Sequence, residues 1–426
     1  MESFSSEADY LKALEARSAL PAGFRSATAS LRFLPRERSV SEALPMNLAL
    51  ILLDEPSPDF AAVFTRNRFP GAPVLIGRQR LSEKRIRGIL VNNKISNVCA
   101  PGGVRDAKAL LAALGGLLDE PQESFFAAST GIIGWSLPRS EMEETLPRLV
   151  AGLDAGSILP VARAIMTTDA FPKVRRAAVG RGSIVGIAKG AGMIEPNMAT
   201  LLCFLCTDVA MPRRTLQEEL SWCVERSLNR ISVDSDQSTS DTAIILSSGR
   251  AGNVGREELR RGLLDVLSGL AFDIMRNGEG VGHVMRVRVA GAQSERAAVS
   301  VARAIVNSPL VKTAIYGNDP NVGRIVSAIG DYMGNSGEHF DPASVTVRMG
   351  GTDIFTGGAF CLDAEKEGTL SAYLKERALD TKRRPWPQHD LTVDIDVSLG
   401  ASKGEAEVLG SDLSYDYVRE NADYRS

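Results

Sequence analysis

The stretch Lys189-Gly190-Ala191-Gly192-Met193-Ile194-Glu195-Pro196-Asn197-Met198-Ala199-Thr200 runs directly into Leu201-Leu202-Cys203-Phe204-Leu205-Cys206. The second part is a short unbroken apolar run. It reads as a fully buried strand, although its length alone also fits a buried helical segment. The first part contains Gly190, Gly192 and Pro196, which resist regular structure. A glycine-containing loop therefore delivers a threonine to the mouth of a buried strand, beside a lysine.

Thr200 is a candidate nucleophile. A threonine hydroxyl is weak in that role and needs a base beside it. A residue that begins a chain has one in its own α-amine, whose ordinary pKa of roughly 7.7–8.0 lies near working pH. To free that amine, the bond between Ala199 and Thr200 must be cut. The Thr200 hydroxyl would attack the Ala199 carbonyl and shift the acyl chain from nitrogen to oxygen, and water would then hydrolyse the ester. By residue type and spacing alone, Thr200 reads first as an ordinary strand residue, because threonine suits strands and most strand threonines are structural.

Composition narrows the setting. At 426 residues the chain is too long for one ordinary core. Its 44% hydrophobic and 24% charged residues are the balance of a soluble globular protein. A net charge of -3 offers no long-range field for nucleic acid. The five cysteines are odd in number and scattered, which fits a reducing compartment better than a disulfide framework. Cys203 and Cys206 form a C-x-x-C inside the apolar run and read as buried small hydrophobes. His283, His339 and His389 lack metal-ligand spacing, so no metal is expected. The acidic first residues do not resemble a transit peptide, and no stretch approaches the length of a membrane span. The expected location is the cytoplasm.

Along the chain, residues 48–53, 61–64, 89–91, 125–128, 184–187, 243–246 and 284–289 read as strands. Residues 391–399 alternate apolar and polar, as a strand with one wet face does. Helical periodicity covers 104–118, 215–231, 257–274 and 294–305. A further helix is expected after Ser140, an N-cap candidate with Glu143 three residues on. Residues 380–390, with Arg383 and Arg384, read as a surface loop. Strand pairs interleaved with long helices argue for mixed α/β layers rather than a doubly wound sheet.

Several motifs, in one order, give the chain a resemblance. Lys-Gly-Ala-Gly-Met-Ile-x-Pro-Asn-Met-Ala-Thr resembles the self-processing site of the ornithine acetyltransferase family, also called bifunctional glutamate N-acetyltransferases. Ser129-Thr130-Gly131-Ile132-Ile133-Gly134 is similar to that family's oxyanion-hole segment. Thr167-Thr168-Asp169 with Pro172-Lys173, Tyr316-Gly317-Asn318-Asp319-Pro320-Asn321, and the tail from Tyr415 to Ser426 also match. The resemblance spans nearly the whole chain. It implies sheets sandwiched between helices, akin to N-terminal-nucleophile hydrolases. It also implies a cut after Ala199, giving an α chain of residues 1–199 and a β chain of residues 200–426, assembled as two α and two β chains.

The resemblance implies roles for particular residues. Thr200 is the nucleophile, and Thr130 and Gly131 form the oxyanion hole. Lys189 meets a substrate carboxylate and Glu279 a cationic group. Thr167, Asn421 and Ser426 make further polar contacts, which requires the C-terminal tail to dock. The implied reaction moves an acetyl group from an N-acetylated amino acid such as N-acetylornithine to glutamate. No cofactor is needed, and acetyl-coenzyme A is an alternative acyl donor. This chain departs from the family pattern at Asn92-Asn93-Lys94-Ile95-Ser96-Asn97, at Val281-Gly282-His283 (family Ala-Thr-Lys), and at Val322 (family Trp). The alternatives are an amidohydrolase or aminopeptidase on the same scaffold, and a paralogue with another acyl donor or amine acceptor. A third, from a different class, is an uncleaved binding protein.

Overall fold

The apolar run after the glycine loop is a strand, Leu202–Ala210, central in a sheet and buried along nearly its whole length. The computed structural model describes residues 3–195, 201–337, 341–380 and 385–422. Within these, the sheet holds five strands in the order Phe60–Phe64, Thr242–Asn253, Leu202–Ala210, Gly182–Lys189 and Lys173–Val179. The central strand runs parallel to Thr242–Asn253 and antiparallel to Gly182–Lys189, with Lys189 opposite Leu202. The two flanks of the expected cut are thus hydrogen-bonded neighbours.

A second sheet has four described strands, ordered Phe24–Phe33, Leu44–Ser57, Ile86–Asn92 and Phe125–Ser129. Successive residues of a strand face opposite sides, and residues 48–53 are all buried. Leu48, Leu50 and Leu52 pack with Leu110, Leu111 and Leu114 of helix Gly103–Leu118 and with Leu146 and Leu149 of helix Arg139–Ala151. The same strand contacts Thr242–Asn253 of the first sheet. Helix Arg256–Met275 covers the five-stranded sheet, where a side chain at Gly186 would strike Val266 and Leu270. The expected layering, two sheets sandwiched between helices, is present in this unit of residues Ala8–Asn229 and Asp236–Ile274.

The other compact unit comprises Met1–Glu7, Arg230–Ser235 and Met275–Ser426. Its sheet has seven described strands, with Val284–Ala292 between Val393–Ser398 and Gly404–Ser411. Val393, Ile395 and Val397 are buried and alternate with wetter residues, as their sequence demands. Helices Glu295–Asn307, Pro309–Tyr316 and Val322–Ser336 supply Val301, Ile305, Ile315 and Ile329 to its core. These units do not follow the expected division at residue 199.

Two local expectations are corrected. Ser140 is not an N-cap. Its helix begins at Arg139 after Pro138 with no side-chain cap, and Glu143 instead pairs with Arg139 at 2.7 Å. The helix expected over 215–231 is Arg213–Arg226. Leu228 and Ile231 continue the apolar period, but the Ser227 hydroxyl bonds back to the Cys223 carbonyl, and Ile231 leaves to pair with Leu409.

Candidate active site

Lys189 ends its strand buried, and no hydrogen-bond partner for its ammonium group occurs among the described residues. The next residue, Gly190, donates its N–H to Asp169 Oδ1 at 2.9 Å. Asp169 Oδ2 accepts the N–H of Thr167 at 3.1 Å, and Lys173 Nζ donates to Oδ1 at 2.6 Å. One carboxylate thus fastens the Thr167 segment, the Lys173 strand and the loop leaving Lys189. Both side chains of the Asp169–Lys173 pair are fully buried. Burial pushes the Asp169 carboxyl up, but the charges of Lys173 and Lys189 and the hydrogen bonds outweigh it and hold it at about 2. Burial pulls the Lys173 ammonium below its ordinary range, against the attraction of Asp169.

Asp169→Ala is expected to cost about 3–5 kcal/mol, because it strands the Lys173 charge in the interior. Urea unfolding near neutral pH measures this. Since the carboxyl lies below its ordinary 3.8, its contribution is fully present above about pH 4 and is lost as pH falls toward 2. The variant's melting temperature should therefore converge on the wild type's in strong acid.

Thr130 and Gly131 follow the end of strand Phe125–Ser129. The Thr130 N–H is committed to the Asn92 carbonyl at 3.2 Å. That leaves its hydroxyl and the Gly131 N–H as available donors, with no partner for either among the described residues. Gly131 has φ +115°, and a Cβ there would lie 2.2 Å from the Lys94 carbonyl oxygen. The glycine is required by the Lys94 backbone, not only by access for a substrate. Asn92 also donates to Ser129 Oγ at 2.7 Å and accepts from the Ile95 N–H at 3.1 Å. Asn93 donates to the Met166 carbonyl at 2.9 Å. The altered segment 92–97 therefore links the Thr130 turn to the Thr167 segment.

Ala199 and Thr200 lie outside the described residues, as does Ser426. The first described residue after them, Leu201, donates its N–H to Asp241 Oδ1 at 2.7 Å. Asp241 is fully buried, just before strand Thr242–Asn253. The sequence marks no role for Asp241, and it places Asp169 only within the Thr167-Thr168-Asp169 segment. An aspartate directly ahead of an apolar strand was the one available signal. Burial pushes the Asp241 carboxyl well above the carboxylate range, against the opposing effects of the Leu201 N–H, Thr65 and Lys189. The C-x-x-C is inert: burial raises the Cys203 thiol to about 12 and the Cys206 thiol further. No cluster of three metal-binding side chains occurs among the described residues.

Glu279 belongs to the other unit. It is buried and accepts a hydrogen bond from Asn421 Nδ2 at 2.9 Å. Asn421 lies on helix Tyr415–Ala422, so this part of the tail docks on the glycine turn. Gly280, at φ +62°, permits that approach: a Cβ there would lie 2.2 Å from the Tyr417 nitrogen. His283, within the departure from the resembled pattern, is turned inward. Its Nδ1 faces Asp412 Oδ2 at 2.8 Å and its Nε2 the Leu374 carbonyl at 3.2 Å. Asp412 Oδ1 accepts the Gly282 N–H at 2.9 Å, so the departure at 281–283 is an internal brace.

Comparison with known proteins gives the following matches. The ArgJ family model covers residues 38–426. The arginine biosynthesis bifunctional protein ArgJ of Nitratidesulfovibrio vulgaris is 42% identical over 419 residues, 96% of this chain and 100% of that protein. The glutamate N-acetyltransferase Oat2 of Streptomyces clavuligerus is 36% identical over 366 residues, 85% of this chain and 89% of that protein. A crystal structure of ArgJ from Bacillus halodurans matches with 35% identity and a TM-score of 0.45, over 52% of this chain and 98% of that one.

Proposed function

The chain belongs to the ArgJ family and is an N-acetyltransferase of arginine biosynthesis, and from that premise we propose that it works by a self-generated N-terminal threonine. The observation that carries this reading is the pairing of Gly182–Lys189 with Leu202–Ala210. The segment between them can be cut without parting the sheet. Cleavage between Ala199 and Thr200 gives an α chain and a β chain, and two of each form the assembly.

In the first half-reaction the Thr200 α-amine takes the hydroxyl proton, and the oxygen attacks the acetyl carbonyl of N-acetylornithine. The Thr130 hydroxyl and the Gly131 N–H stabilise the oxyanion, each donor contributing about 2.7–4 kcal/mol. The free amino acid leaves with the proton. In the second half-reaction the amine of glutamate attacks the acetyl ester, a ping-pong route. Lys189 holds a substrate carboxylate, and Thr167, Asn421 and Ser426 add polar contacts. No coenzyme enters, and acetyl-coenzyme A is the alternative donor to test. No described helix is long and apolar enough to cross a membrane, and the proposed location is the cytoplasm. Segments 92–97 and 281–283 make internal contacts here, so they give no reason to prefer a hydrolase or another acceptor.

Glu279 is assigned to the cationic group of the substrate. Removing one partner of a desolvated charge pair costs about 2–5 kcal/mol. Glu279→Gln, which keeps an acceptor for Asn421, should lower kcat/KM by that amount for donors with a free amine and far less for neutral donors of equal length. Equal losses for both would make Glu279 structural. The reading as a whole is tested by incubating the purified protein with N-acetylornithine and glutamate. N-acetylglutamate should form in step with ornithine, whereas free acetate would indicate hydrolysis.

A further inference from the structure

We propose that the Asp241 carboxyl carries the proton that self-cleavage must move from the Thr200 hydroxyl to the Thr200 nitrogen. The proposal rests on the Thr200 reading above and adds a residue to it. Asp241 Oδ1 accepts the Leu201 N–H at 2.7 Å. That nitrogen is bonded to the Thr200 carbonyl carbon, about 1.33 Å away in any peptide. Asp241 is therefore tied to the first atom beyond the threonine that must react.

Anchoring Leu201 uses one carboxyl oxygen. The other, Oδ2, is buried and has no hydrogen-bond partner among the described residues. Thr65 lies alongside and donates its N–H to the Asp241 carbonyl at 3.0 Å. Its hydroxyl carries a single proton, which goes to the Ser238 carbonyl at 2.7 Å. A buried polar atom without a partner is rare and calls for an explanation, a catalytic role among them. An asparagine would anchor Leu201 equally well without burying an ionisable group. Oδ1 is accepting the Leu201 N–H, so Oδ2 is the oxygen placed to carry a proton, and burial favours the protonated carboxyl.

The step balances within the chain. The Thr200 oxygen bonds to the Ala199 carbonyl carbon, and the bond from that carbon to the Thr200 nitrogen breaks. The nitrogen takes the carboxyl proton and becomes an amine. The carboxylate left behind takes the proton of the threonine hydroxyl, and Asp241 ends as it began. Water hydrolyses the resulting ester in a later step that does not involve this transfer.

The test follows cleavage of the freshly made full-length chain by intact mass against time, for wild type, Thr200→Ala and Asp241→Asn. Asp241→Asn keeps the acceptor for Leu201 but cannot transfer a proton. It should melt near the wild-type temperature and cleave at least about 100-fold more slowly, within the range of general acid–base effects. Cleavage within tenfold of wild type would overturn the proposal. Asp241→Ala supplies an independent arm, refolded from denaturant in formate or in formamide. Rescue of cleavage by formate alone is expected, since both fit the vacated space but only formic acid is a proton carrier of the right strength. Rescue by both, or by neither, would overturn the proposal. A wild type that stays uncut, or a Thr200→Ala that is cut, would instead defeat the underlying Thr200 reading.

Discussion

Thr200→Ala is expected to remain one uncut chain and to lose acetyl transfer by about 10⁴-fold or more, the scale seen when a covalent nucleophile is removed. Both losses have one source. Alanine has no hydroxyl to attack the Ala199 carbonyl, so no new amine appears, and it has none to accept an acetyl group. The fold should survive, because the neighbouring strand is held by the antiparallel register that places Lys189 opposite Leu202 and by the Leu201 N–H bond to Asp241. Circular dichroism should show wild-type secondary structure. In the wild type, the same register should keep the two fragments together until denaturant is added, so a native column should show one species and a denaturing gel two. An uncut Thr200→Ala with wild-type activity would separate processing from catalysis and remove the acyl-enzyme.

Thr130→Ala should lower kcat by about 10²–10³-fold and leave KM near wild type. An oxyanion donor acts on charge that is absent from the bound substrate and develops in the transition state. The Thr130 hydroxyl is the relevant group, because its backbone N–H is already bound to the Asn92 carbonyl. Thr130→Ser, which keeps the hydroxyl, should recover most of the rate, while Thr130→Val, which matches the shape, should not. The backbone of the turn is fixed by Gly131 against Lys94 and does not depend on the threonine side chain. A change in KM with kcat intact would make Thr130 a binding residue.

How much of this was visible in the sequence depends on the range of each interaction. The strand at Leu202–Ala210 was legible because residues 202–206 are apolar on both faces, as a central strand of a sheet requires. The helix expected over 294–305 is Glu295–Asn307, since its apolar period is clear; Ser294, read as its first residue, is instead the N-cap that accepts the Ala297 N–H. The strand of alternating residues near 391–399 was found, shortened to Val393–Ser398. Contacts between distant residues were not legible. Asp169 reaches 21 residues ahead to Gly190, and Asp241 reaches 40 residues back to Leu201. Apart from the apolar strand that follows Asp241, nothing in either local sequence distinguishes a buried carboxyl from a solvated one. Gly131 was singled out through the resemblance, but the carbonyl that enforces a glycine there belongs to Lys94, 37 residues earlier. Ile231 kept a helical period and still left its helix, because a parallel pairing with Leu409 competes with the period and wins. The family resemblance supplied the candidate roles; the structure supplied the hydrogen bonds that connect several of them.

The most direct test of the central claim is to trap the acyl-enzyme. Freshly purified protein is mixed with N-acetylornithine in the absence of glutamate, quenched in acid within a turnover, and digested for mass spectrometry. The account predicts two chains, the second beginning at Thr200, with one acetyl group on the Thr200 hydroxyl that disappears when glutamate is added before the quench. An acetyl group on any other residue, or transfer by a chain still joined at Ala199 and Thr200, would contradict it.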